Sequence, residues 1–146
     1  TGDHAGRTLP KTAGVIQTGF VHDIKPYIAS AWASVVPLRS GGGTRLKILE
    51  SMAIGTPVIT TTKGAEGLDV KHGSNVLIAD EPEEYAQAII QLLKEPEMRE
   101  HLAENAYQLV SEHYDWTGVM PRFLTLIDDV VWEFQNQKKM GLPAYR

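Results

Sequence analysis

Residues 33 to 62, ASVVPLRSGGGTRLKILESMAIGTPVITTT, place a short β-branched run, three consecutive glycines, an amphipathic stretch and a second β-branched run in direct succession. That order predicts one βαβ unit, because two parallel strands need a crossover and the amphipathic stretch supplies it. Val35, Val36, Pro37 and Leu38 form an apolar run suited to a parallel strand covered on both faces, and Pro37 marks where regular pairing ends. Gly41, Gly42 and Gly43 permit a tight turn and let a ligand approach the main chain without meeting a Cβ. Thr44 is the expected N-cap of a helix from Arg45 to Ile54, which Gly55 and Pro57 terminate. Helical spacing sets Leu46, Leu49 and Ala53 on one face and Lys47, Glu50 and Ile54 on another.

The start of that helix offers unpaired N–H groups and the positive end of the helix dipole, a combination that favours a phosphate or diphosphate. Glu50 lies six residues beyond Thr44, roughly 9 Å along the axis at the helical rise. A carboxylate at that distance could accept hydrogen bonds from the two vicinal hydroxyls of a ribose whose phosphates sit at the helix start. The same residues also fit an ordinary flexible turn and a surface Lys47–Glu50 pair. Neither GxGxxG nor GxxxxGK[ST] is present, so spacing alone leaves both readings open.

The surrounding chain continues the α/β alternation. Residues 3 to 13 read as a polar loop in which Asp3 and His4 are solvated. Residues 14 to 18, GVIQT, form a strand candidate ending at Gly19–Phe20–Val21. Asp23 can cap a short helix over residues 24–31 with Tyr27, Ile28 and Ala31 inward. Beyond the central unit, residues 57–62 form a buried strand whose C-terminal end should share an edge with the glycine turn, where open parallel sheets bind ligands. Residues 63–67 then enter the cleft. Residues 75–79 form a further strand, with His72 exposed in the turn before it. Asp80–Glu84 is a helix start with acids at the positive end; Tyr85, Ala88, Ile89, Leu92 and Leu93 make the inner face of that helix. A second helix after Pro96 turns Met98, Leu102, Ala106, Leu109 and Val110 inward. His101 and His113 have no partner at i+4 and do not read as zinc ligands. Tyr114–Thr117 caps a last helix over residues 118–139 with more apolar surface than one face needs.

Composition narrows the class. A formal charge of −4 is the wrong sign for a general nucleic-acid binder. There are no cysteines, which removes disulfides, thiolate nucleophiles and cysteine-ligated metals. No apolar run approaches a membrane span, and the first residues lack a signal peptide's hydrophobic core. These features suit a cytoplasmic chain, at most peripheral at a membrane.

The segment PLRSGGGTRLKILESMAIGTPVITT, followed by GAEGL and then HGSNVLIAD, resembles the donor-binding half of glycosyltransferase family 4, built on the two-domain GT-B plan. The likeness covers nearly the whole chain. It implies an α/β fold with a Rossmann-like parallel sheet and helices on both faces, the C-terminal domain of a GT-B protein. It also implies that an opening strand–helix–strand and an N-terminal acceptor domain belong before Thr1, so that the chain is truncated at its N-terminus and inactive alone. Residues 1–117 then form the partial nucleotide-sugar-binding domain, and residues 118–146 a C-terminal helix and tail crossing towards the acceptor domain.

In that family a Glu-x7-Glu motif spans the turn and helix, and its second glutamate, which binds the donor ribose, matches Glu50. The first falls on Gly42 counted back from Glu50, or on Gly41 counted from Pro37, so this chain looks like a glycine-rich subgroup without the usual holder of the transferred sugar's hydroxyls. The resemblance implies diphosphate contacts from Gly41, Gly42, Gly43, Thr44 and Arg45. Base or phosphate contacts are implied for Gly19, Phe20, Val21, Lys47 and Gly64. Arg39, Arg45 and Lys47 are the local cations, and the family's principal Arg/Lys pair would lie upstream. The implied activity is metal-independent, retaining transfer of a sugar from a nucleotide-sugar donor to an acceptor hydroxyl. No cofactor is implied. A nucleotide-sugar epimerase or hydrolase on the same plan, or a non-catalytic nucleotide-binding module, is the alternative.

Overall fold

The computed structural model describes residues 12–139, with side chains to residue 136. The loop expected before residue 12, including Asp3 and His4, and the tail after residue 139 lie outside the described residues. Within them the order is α1 (Lys25–Ala29), β1 (Ser34–Val36), α2 (Leu46–Ala53), β2 (Val58–Thr60), α3 (Thr62–Ala65), β3 (Leu77–Ile78), α4 (Pro82–Lys94), α5 (Pro96–His113) and α6 (Trp116–Lys139).

The three strands form one parallel sheet in the order β1-β2-β3. Ser34 pairs with Val58 and Val36 with Thr60; Ile59 pairs with Leu77 and Thr60 with Ile78. Alternation along each strand sends side chains to two cores. Val36, Val58 and Val76 join Ile48 and Met52 of α2 and Ala106 of α5 on one face. Ile59 and Leu77 join Leu92 of α4 and Leu102 of α5 on the other. Helices therefore cover both faces of β2, as its apolar residues require, whereas β1, expected to be covered on both faces, leaves Val35 exposed. Ile48, Met52, Val58, Ile59, Leu92 and Leu102 are fully buried. At about 1.5–3 kcal/mol for each such side chain, that burial outweighs the weak intrinsic stability of a helix as short as α2.

Tyr85 of α4 connects the layers with a polar link. Its hydroxyl donates to the Ile59 carbonyl at 2.8 Å and accepts from the Val36 amide at 2.9 Å. Burial raises the pKa of this phenol, so it stays a neutral donor and acceptor.

Several sequence expectations shift. No strand forms over residues 14–18, and Val15 and Ile16 are exposed. A strand forms only against a neighbour, and β1 pairs with β2 alone among the described residues. The first helix is shorter than residues 24–31, and Tyr27 is exposed; Asp23 still accepts from the Lys25 amide at 3.0 Å. The inner face of α2 consists of Ile48, Ser51 and Met52, whereas Leu46 and Ala53 are exposed. Leu93 also turns outward. His72 is exposed as expected, yet its Nδ1 accepts from the Ile78 amide at 2.9 Å and so braces β3. The segment after β2, for which the sequence named no element, is the short helix α3.

The last helix begins at Trp116, and Phe123, Leu126, Val130, Trp132 and Phe134 along it are exposed. Among the described residues no helix is long and apolar enough to cross a membrane.

Candidate functional site

The C-terminal ends of β1, β2 and β3 lie on one edge of the sheet, and the segments leaving them build the candidate site. After β1, Pro37 leads to the turn at Gly41–Gly43. Gly41 has φ 127° and Gly43 φ 86°, values that L side chains rarely adopt. Nothing lies within 4 Å of where a Cβ would stand at Gly41, Gly42 or Gly43, so the turn is open rather than packed shut. The helix that follows is capped by Arg45, with no side-chain cap bond; Thr44, the expected cap, is exposed. The amides of Leu46 and Lys47 donate to no protein acceptor among the described residues, which leaves the helix start available to an anion.

Arg45 departs from the expected role of a free phosphate-facing cation. It is only 6% exposed, and its guanidinium knits the glycine turn to α3. Nη1 donates to the Gly42 carbonyl at 3.3 Å. Nη2 reaches the Gly41 carbonyl at 3.4 Å, the Lys63 carbonyl at 3.0 Å and Glu66 Oε2 at 3.4 Å. Nε is buried without a partner. Glu66 also takes Lys63 Nζ at 2.5 Å. The Lys63 ammonium, and to a smaller extent the Arg45 guanidinium, holds the Glu66 carboxyl below its ordinary pKa.

Threonines and one aspartate fasten α3 in place. Thr61 caps it, accepting from the Gly64 amide at 3.0 Å and donating to the Leu38 carbonyl. Asp80, just past β3, accepts from the Thr62 amide at 2.8 Å and hydroxyl at 2.6 Å. Those bonds, the hydroxyl's first, lower the Asp80 pKa, with Arg39 adding a smaller electrostatic pull. Gly64 is a glycine for packing reasons: a Cβ there would stand 2.0 Å from Thr60 Oγ1.

Glu50 sits elsewhere on α2. It is half-buried and borders a groove of about 640 Å³ between α2 and the C-terminal part of α5, with Leu46, Leu49, Tyr107, Ser111 and Tyr114 among its walls. The Lys47–Glu50 pair that spacing allowed is not formed, and the Glu50 carboxylate has no hydrogen-bond or ion-pair partner among the described residues. Lys47 is exposed. Leu46 joins the two places, since it follows Arg45 in sequence and lines the groove. A smaller cavity of about 280 Å³ lies at the strand edge, between Pro37, Arg39, Thr61, Asp80 and Tyr85.

The structure thus gathers Gly41, Gly42, Gly43 and Arg45 with Gly64, and sets Glu50 further along the same helix. Gly19 and Phe20 are exposed and Val21 half-buried, in a segment that lines neither cavity. Sequence reasoning passed over Glu66 and Asp80. Lys63 and Glu66 at i,i+3 were a visible signal; Asp80 reaching back to Thr62 was not, because that contact spans eighteen residues. No three His, Asp or Glu side chains among the described residues come together as metal ligands would.

A parallel α/β sheet, helices on both faces and an open glycine turn at the strands' C-terminal edge define the class of Rossmann-like domains. Comparison with known proteins gives the family: the model described as glycosyl transferases group 1 matches residues 2–95, and the chain belongs to that family. A 44.6 kDa protein in the cps region of Klebsiella pneumoniae is 33% identical over 79 residues, 54% of this chain and 20% of that protein. A glycosyltransferase of Methanocaldococcus jannaschii is 27% identical over 123 residues, 81% of this chain and 31% of that protein. The lipopolysaccharide core biosynthesis glycosyltransferase of Rhizobium meliloti is 28% identical over 111 residues, 75% of this chain and 32% of that protein. The matched region is thus between a fifth and a third of these relatives' length.

Proposed function

We propose that this chain is the donor-binding part of a retaining GT-B glycosyltransferase of the family 4 type, in a glycine-rich subgroup. In this reading the Gly41–Gly43 turn and the start of α2, with Thr44 exposed beside them, receive the diphosphate of a nucleotide sugar. Glu50 receives the ribose hydroxyls. As the bond between sugar and diphosphate lengthens, negative charge grows on the leaving oxygen, and fixed amides at a helix start stabilise it without reorganising. Lys63, which α3 holds beside the turn, adds a cation to the same charge. No metal has a role in this scheme.

One observation carries the reading. Glu50 is a half-buried carboxylate with no protein partner among the described residues, on the helix that starts at an open glycine turn. A carboxylate on a groove wall that no protein donor occupies is free to accept from a ligand's hydroxyls.

Residues 1–117 serve as the nucleotide-binding unit in this reading, and α6 lays its exposed apolar side chains against an acceptor-binding domain. A band of that size on one helix supports such a contact. The protein would work in the cytoplasm, with a saccharide or lipid-linked acceptor.

Titration calorimetry of UDP and GDP into the full-length protein tests the assignment. Glu50→Ala should weaken the preferred nucleotide by about 10- to 100-fold, the loss of one or two charge-assisted hydrogen bonds, with the melting temperature unchanged. Equal affinity in the two proteins would remove Glu50 from the site. Absence of binding by the parent protein would remove the reading altogether.

A further inference from the structure

Arg45, Lys63 and Glu66 form a cluster of two cations and one acid against the glycine turn. Arg45 remains charged at any working pH and is almost wholly buried, so it needs an anion nearby. The anion it has is a poor match. Glu66 Oε2 stands 3.4 Å from Arg45 Nη2, longer than a charge-assisted hydrogen bond of about 2.7–2.9 Å. The same oxygen is 2.5 Å from Lys63 Nζ, so Glu66 is drawn to the lysine and only brushes the arginine. Its side chain is 60% exposed and that of Lys63 41% exposed. An ion pair so open to water costs little to separate. The Lys63 main chain, by contrast, is held by Arg45 through its carbonyl at 3.0 Å. The lysine can therefore change partner without α3 moving.

We propose that Glu66 is a resident counter-anion: in the free protein it stands in for phosphate beside the glycine turn, and an incoming diphosphate displaces it from Lys63 and Arg45. The proposal rests on the reading that the turn takes a diphosphate. It adds that the site is filled before the ligand arrives and that ligand affinity is set by competition. A diphosphate carries more than one negative charge, can take the exposed Lys63 ammonium directly and sets more charge near the buried Arg45 guanidinium than a single carboxylate oxygen at these distances does. Removing the competing carboxylate should then tighten anion binding, even though an interaction seen in the structure has been deleted.

Inorganic pyrophosphate, titrated calorimetrically into the full-length protein without divalent cations, provides the test. Glu66→Gln should bind pyrophosphate about tenfold more tightly than the parent, the order of one charge-assisted hydrogen bond freed from competition. Lys63→Met should bind about tenfold more weakly, since the cation that Glu66 yields to the ligand is gone. Glu104→Gln makes the same change of charge on the exposed side of α5 and should stay within about twofold of the parent, because salt screens distant charges. Equal or weaker binding by Glu66→Gln overturns the proposal. So does an equal rise in affinity in Glu104→Gln, which would assign the effect to net charge, and so does absence of pyrophosphate binding in both parent and Glu66→Gln. If nucleotide binding is lost in Glu50→Ala while Glu66→Gln changes nothing, the functional reading stands and the counter-anion does not.

Discussion

Gly64→Ala, combined with changes at Thr60, offers a sharp test of how the cleft edge is built. A methyl at residue 64 would sit 2.0 Å from Thr60 Oγ1 and 3.4 Å from both Thr60 Cβ and Thr61 Oγ1. Thr60 is fully buried, and its hydroxyl donates to the Val36 carbonyl at 3.0 Å, so it cannot rotate away without losing that bond. Overpacking costs about 1–3 kcal/mol, and breaking the hydroxyl bond adds about 1 kcal/mol. The expected destabilisation is therefore about 2–4 kcal/mol, several degrees or more in melting temperature for a domain of this size. Thr60→Ala removes the clashing oxygen, whereas Thr60→Val leaves a methyl in its place. In urea titrations of the two double-mutant cycles, Thr60→Ala should recover about 1–3 kcal/mol of the Gly64→Ala cost, and Thr60→Val should recover none. Additive behaviour in the alanine cycle, or a Gly64→Ala protein as stable as the parent, would refute the packing explanation. Gly64 would then owe its identity to a ligand.

Two further outcomes follow from the polar links. Tyr85→Phe removes the hydroxyl that accepts from the Val36 amide and donates to the Ile59 carbonyl, and should cost about 1–3 kcal/mol in denaturant titration. Asp80 has a folded-state pKa below its ordinary value; its contribution is therefore full above the unfolded value, near pH 4, and is lost as pH falls through the lower folded value. Asp80→Asn should flatten the stability profile on that acid limb and leave its slope between about pH 6 and 8 unchanged.

The central βαβ unit was legible because β-branched runs, glycines and helical spacing all pointed the same way. So were the inner faces of α4 and α5, where Tyr85, Ala88, Ile89, Leu92, Met98, Leu102 and Ala106 pack as periodicity required. The α2 face was less so. Leu46, Leu49 and Ala53 are apolar, but the sheet takes Ile48, Met52 and the small Ser51, whose hydroxyl meets Ser34 at 2.9 Å. A stripe of apolar residues does not say which of two apolar sides faces the sheet, and α2 is apolar toward the α5 groove as well. The strand at residues 14–18 failed for another reason: β propensity is realised only beside a partner. At the candidate site, the glycine turn and the place of Glu50 on the helix after it were visible in the sequence. The bonds from Arg45 to Lys63 and Glu66 were not, since they depend on α3 folding back beside the turn. A charged residue at a helix start, where the dipole opposes it, was the only local sign.

Arg45, Thr60 and Thr61 all grip carbonyl oxygens, those of Gly41, Gly42, Lys63, Val36 and Leu38. Every amino acid brings such an oxygen, so the clasp is indifferent to the identity of exposed neighbours such as Arg39, Ser40 and Thr44. Descendants of this chain can exchange those neighbours and alter which molecule they welcome while the chassis beneath keeps its shape.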